Sequence, residues 1–167
     1  MYQIGDYVVK LNNGVCQVKD IVTMDQPVAM RGKKYYLMVP YEDANAKVYV
    51  PVEGKNNNVR VVMSFDEAKA FISRIPQIQD AEILSEKVRE QEYKDAIRSG
   101  SPERLMSILK NIYKRCQNRI AQGKKSTTVD ERYYKQAGNM LFSELAFALN
   151  CDKSEITKLV SDYIGDM

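Results

Sequence analysis

Apolar and polar residues alternate with a period near two up to about residue 63 and with a period near 3.6 from Ser64 onward. These are the signatures of half-buried strands and of amphipathic helices. In the first stretch Val8 and Val9 form a short β-branched run, Asn12-Asn13-Gly14 supplies residues that tolerate positive φ, and an extended pattern resumes at Val15. That predicts a β-hairpin over residues 4–21. Residues 33–39 predict a further strand whose two faces are both apolar, since Tyr35, Leu37 and Val39 alternate with Tyr36 and Met38. Residues 47–52 alternate more cleanly, with Val48, Val50 and Val52 on one side, and residues 59–63 predict a last short strand. Pro51 has no N–H for a ladder, so its strand has a free edge or stops there. Five short strands with tight turns predict a small SH3-like or Tudor-like barrel.

After the change of period, Ser64 to Glu67 has capping-box spacing, and Ala68, Phe71, Ile72 and Ile75 make a stripe that Pro76 ends. Residues 75–84 read as an irregular connector. Ser85 is placed to cap a helix running to Arg98, with Gly100 as terminator. Ser101-Pro102 restarts at once, and Leu105, Ile108, Leu109, Ile112, Cys116 and Ile120 keep helical spacing up to Gly123. Capping spacing recurs at Thr128 to Glu131 and at Asp152 to Glu155. The first opens a helix with Tyr134, Ala137, Leu141, Leu145 and Ala148 on one face, and the second one with Ile156, Leu159, Val160 and Tyr163, ended by Gly165. The expected fold class is therefore α+β: a β domain over residues 1–64, a helix and connector over 65–84, and a helical bundle over 85–167.

Composition narrows the chemistry. With 167 residues, 44% of them hydrophobic, the chain can bury a core. It has no 18-residue apolar run and no basic-then-apolar leader, so neither a membrane span nor a signal peptide is expected and the protein reads as cytoplasmic. Cys16, Cys116 and Cys151 lack CxxC spacing and there is no histidine, so they are expected to be reduced, buried thiols with no metal and no cofactor. The lack of histidine also removes the commonest general base, and no phosphate loop or nucleophile–base spacing points to an enzyme. The net charge of +3 is uneven, because residues 99–125 carry seven basic groups and one acidic group. On a helix over 102–122, Lys110 and Lys114 project roughly opposite the Leu105 stripe, Arg104 and Arg115 lie to one side, and Lys124 and Lys125 extend the charge. Such a face suits a phosphate backbone; the plainer alternative is a solvated helix with cations favoured near its C-terminus.

The ordered set GD-x-VV…NG-V-x-x-V-x-x-I, YYLMV, VYVPV, REQEYKDAIRSG, LMSILKNIYKR and LFSELAFAL resembles the CarD/CdnL family of bacterial transcription regulators along essentially the whole chain. The resemblance implies a Tudor-like domain that binds the RNA polymerase β subunit and a helical domain that contacts promoter DNA and favours the open complex. It places the polymerase contact on Lys47, Tyr49 and Pro51, with Arg31 a weaker candidate, and an exposed strand edge is suited to pairing with a partner strand. Tyr49 as an ordinary surface aromatic is the alternative. It also puts Lys87 and Arg89 in the DNA-contacting region, where pairing with Glu86, Glu90 and Asp95 is the competing account. Family members insert a tryptophan at the start of the helical domain, and this chain has none. Ile83 or Leu84 is then a smaller wedge, or packs into the bundle. A protein-recruiting adaptor that binds polymerase is the second functional reading, and a monomer is expected.

Overall fold

The structure, a computed structural model, describes residues 1–24, 32–54 and 58–165, so that Arg31 lies outside the described residues. The chain forms two compact units, Met1–Val62 and Met63–Met167.

The first unit is an antiparallel sheet of five strands: β1 (Tyr7–Lys10), β2 (Gly14–Thr23), β3 (Lys34–Pro40), β4 (Val48–Pro51) and β5 (Val59–Val61). Their order is β4-β3-β2-β1-β5, so among the described residues β4 and β5 are the two edges. The hairpin turn closes with the Asn13 N–H donating to the Lys10 carbonyl at 3.0 Å, and both Asn12 and Gly14 adopt φ of 70°. Val8, Cys16, Val18, Tyr36, Met38 and Val50 form the core of the sheet. The ambiguous pattern of β3 has a structural counterpart: Tyr36 belongs to this core, and its neighbour Tyr35, pointing the other way, is also buried. Tyr36 is held at its polar end as well, its hydroxyl accepting the Tyr2 N–H at 3.1 Å.

The second unit contains α1 (Phe65–Arg74), a 3-10 turn (Ile75–Gln77), α2 (Glu86–Ser99), α3 (Pro102–Ala121), α4 (Thr128–Leu149) and α5 (Lys153–Gly165). The fold is α+β. The Ser64–Glu67 capping box is formed in both directions, and Gly100 ends α2 in the left-handed conformation. Ser101 caps α3 by accepting the Arg104 N–H. Two caps differ from expectation. Thr127, one residue earlier than the pattern suggested, caps α4 through Asp130, while Glu131 bonds Ser126 instead. Ser85 occupies its cap position but makes no side-chain cap bond. The apolar stripes converge on one core that includes Phe71, Tyr93, Leu105, Leu109, Leu141 and Val160. Ile120 is a correction, because it is 59% exposed at the end of α3 rather than packed. So is the burial of the cysteines: all three are free thiols, but only Cys16 is buried and Cys116 and Cys151 are partly exposed.

Gly14 has open space where a side chain would go, so its constraint is conformational only. Gly14→Val is expected to destabilise the sheet by roughly 1–2 kcal/mol through left-handed strain, whereas Asn12→Gly should change it by less than about 1 kcal/mol. Hydrogen exchange at the Val8 and Cys16 amides would measure both.

Candidate functional site

In the first unit the expected polymerase contact lies on β4. Val50 is buried, Tyr49 is 45% exposed, and Lys47 and Pro51 are exposed. Pairing with β3 runs through Leu37↔Tyr49 and Tyr35↔Pro51, and no strand pairs with the far side of β4 among the described residues. Leu37, directly opposite Tyr49 across the strand pair, is half-buried. A groove of about 590 Å³ adjoins the end of this strand, with Ile21, Tyr35, Pro51 and Val52 along its walls and Lys33 and Lys34 on its border. The arrangement offers a strand edge, an aromatic anchor and a recess for a partner side chain.

Three cations of the second unit, Arg89, Lys110 and Arg115, are engaged inside it rather than free at its surface. Asp130 is fully buried at the start of α4, and three groups serve its carboxylate: Tyr93 Oη at 2.9 Å, Arg115 Nε at 2.8 Å and Thr127 Oγ1 at 2.7 Å. Burial pushes the Asp130 carboxyl up, but the bonds from Thr127, Arg115 and Tyr93 outweigh it and hold it below its ordinary value. Burial pushes the Tyr93 phenol up to about 12, with Arg89 opposing and Asp130 reinforcing the shift. Arg115 also forms a two-pronged pair with Glu86, at 2.5 and 3.0 Å. Arg89 bonds Glu86 at 3.1 Å, the Tyr93 hydroxyl at 3.0 Å and Asn111 Oδ1 at 3.0 Å. Arg89 and Arg115 therefore join α2, α3 and α4 in a polar network, a correction to the expectation of unengaged cations.

Lys110 is the larger correction. Only 1% exposed, it donates to the Ile78 carbonyl at 2.5 Å, and burial holds its ammonium below the usual lysine pKa. Lys114 pairs with Asp80 at 2.6 Å. Lys114 is exposed, as the helical wheel assigned it, but the wheel put Lys110 in solvent too because it carries no information about what lies over that face. Here it is the connector, whose carbonyls need donors once they leave water. Of the other candidates, Lys87 and Arg104 are exposed and carry no ion pair among the described residues. Lys124 and Lys125 are exposed past the end of α3, while Arg119 is turned back onto the Lys125 carbonyl at 2.9 Å. The two apolar candidates separate cleanly: Ile83 packs on the core, and Leu84, just ahead of α2, is 85% exposed. Val88, one turn further on, is 41% exposed.

Sequence reasoning missed the network. Tyr93, Asp130 and Asn111 are far apart in the chain, and the one available signal was Asp130 sitting at the third residue after a capping threonine. Among the described residues there is no group of three or more potential metal ligands, and no helix is long and apolar enough to cross a membrane.

The two units, a five-stranded sheet and a helical unit, match family models of RNA polymerase-interacting transcription factors. Residues 2–63 match the model of the CarD-like/TRCF RID domain, and residues 76–161 match that of the CarD C-terminal domain. The chain belongs to the CarD family. No curated protein matches it.

The network sets an acid dependence of known sign. Because the folded Asp130 pKa lies below its unfolded value, its contribution is complete above the ordinary carboxylate pKa of about 3.9 and is lost as pH falls through the lower folded value. Asp130→Asn should destabilise the helical unit by about 3 kcal/mol at pH 7, and its deficit relative to wild type should close as pH falls below about 4. Denaturant titrations of both proteins from pH 7 to pH 3 would test this; a deficit independent of pH would contradict it.

Proposed function

We propose that the protein binds the RNA polymerase β subunit through β4 and stabilises the promoter open complex through its helical unit. The observation that carries the first half is the position of β4 at a sheet edge with Tyr49 exposed, in a segment that matches the polymerase-interacting family model. A partner strand would pair along β4, with Tyr49 as the anchor and Lys47 and Pro51 flanking it. Tyr49→Glu should weaken polymerase binding at least tenfold, a loss of about 1.4 kcal/mol or more, by placing a charge in an apolar contact. Because the ring is exposed, the thermal transition should stay unchanged. Binding of the full chain to polymerase, measured beside its melting curve, checks both; undiminished binding would remove β4 from the interface.

For DNA, the reading rests on Leu84 as an apolar wedge, with Lys87 and Arg104 as backbone contacts. Exposure of an aliphatic side chain to this degree is what a wedge requires. If about two phosphates are neutralised, the log-log salt slope of binding should be near −2. Each of Lys87→Ala and Arg104→Ala should reduce its magnitude by about one unit. Leu84→Ala should leave the slope alone and shorten the open-complex lifetime. The internal bonds of Arg89, Lys110 and Arg115 and the surface pair of Lys114 with Asp80 favour a second reading, an adaptor whose helical unit recruits another protein. Absence of any salt-dependent DNA effect in the presence of polymerase would select that reading.

A further inference from the structure

We propose that Ser107, Lys110, Asn111 and Lys114 form a clamp that fixes the connector and so sets where Leu84 projects, acting as positioning residues rather than DNA contacts. The inference rests on the reading of Leu84 as the wedge. The four residues are spaced i, i+3, i+4 and i+7, which places them on one face of α3. Each holds a different point of the connector. Ser107 Oγ donates to the Gln79 carbonyl at 2.7 Å, and the Ser107 carbonyl accepts the Ala81 N–H at 3.0 Å. Lys110 Nζ donates to the Ile78 carbonyl at 2.5 Å, Asn111 Nδ2 to the Ala81 carbonyl at 2.8 Å, and Lys114 pairs with the Asp80 carboxylate at 2.6 Å.

The same helix holds the chain again just beyond Leu84. Arg115 grips Glu86, and Asn111 Oδ1 accepts from Arg89. Residues 82–85 are thus a four-residue bridge with both ends tied to α3. Within the bridge Ile83 packs on the core while Leu84 stands 85% exposed. A slack bridge would let Leu84 fold back onto apolar surface, the favourable fate of a free leucine in water. Anchors on both sides oppose that collapse and remove the ordering cost of presenting the side chain to a partner. Lys110 supports the same conclusion. An apolar residue would fill its site without desolvating an ammonium, so what the lysine adds is a directed bond to one connector carbonyl.

The chain contains no tryptophan, so Leu84→Trp introduces a single indole whose fluorescence anisotropy reports on the bridge alone. Lys110→Met and the Ser107→Ala/Lys114→Ala double variant would be made in full-length protein with and without that reporter. The double variant alters side chains at the surface and keeps the test open if Lys110→Met does not fold. The clamp is supported if both shorten the open-complex lifetime several-fold, as Leu84→Ala does, with polymerase affinity and salt slope unchanged and indole anisotropy lowered. Lys114→Asp should show the same loss, and adding Asp80→Lys should restore the lifetime. A salt slope reduced by about one unit in the double variant would make Lys114 a phosphate contact and overturn the proposal. So would an unchanged lifetime when Leu84→Ala shortens it. If Leu84→Ala itself has no effect, the wedge reading fails instead, and anisotropy alone decides the clamp: lowered values keep it as an ordering device, unchanged values overturn it.

Discussion

Asp130 is a carboxylate removed from water at the start of α4, and the helical unit is arranged around returning to it what water would have supplied. A lone buried charge costs several kcal/mol, so such a group persists only where donors converge on it. Here they come from three directions: Thr127 in the cap, Tyr93 on α2 and Arg115 on α3. Each brings further obligations. Arg115 has donors left over, which Glu86 accepts, and the Tyr93 oxygen accepts from Arg89, which also reaches Asn111. Satisfying one carboxylate thereby fixes the register of three helices, and the surrounding apolar core supplies most of the stabilisation but less of the direction.

This economy of charge decides which parts of the protein are free to meet partners. Arg89, Lys110, Lys114 and Arg115 look like a cationic surface by count, yet each already holds a carboxylate, a hydroxyl or a backbone carbonyl. Withdrawing one of them to meet a phosphate would forfeit an internal bond, which makes Lys87 and Arg104 the less costly contacts. The first unit solves the same problem with main-chain groups. Its interior strands satisfy one another, and β4, with one neighbour among the described residues, has a side on which a second strand can pair. The two units thus offer different chemistry: an edge with an exposed aromatic in one, and a strongly exposed leucine ahead of α2 with nearby cations in the other.

What local physics governs was legible in the sequence. The hairpin follows from Asn12 and Gly14 accepting positive φ, β4 from the alternation of Val48, Val50 and Val52, and the helix limits from Ser64, Gly100 and Ser101. Pro51, lacking the N–H that an interior strand must give, left either a free edge or a strand end there, and β4 shows both: among the described residues it lies at the edge of the sheet, and it ends at Pro51. Tertiary structure decided the fate of the cations. A helical wheel ranks positions by polarity and treats every polar face as solvated, so it placed Lys110 in water; the connector lies over that face and its carbonyls demand donors. Backbone carbonyls carry no residue-specific signal, and Asp130 meets Tyr93 across 37 positions of chain. Which of Ile83 and Leu84 would project was undecided for the same reason. Two adjacent aliphatics are equivalent by composition, and only the direction imposed by α3 on either side of them turns Ile83 into the core and Leu84 out of it.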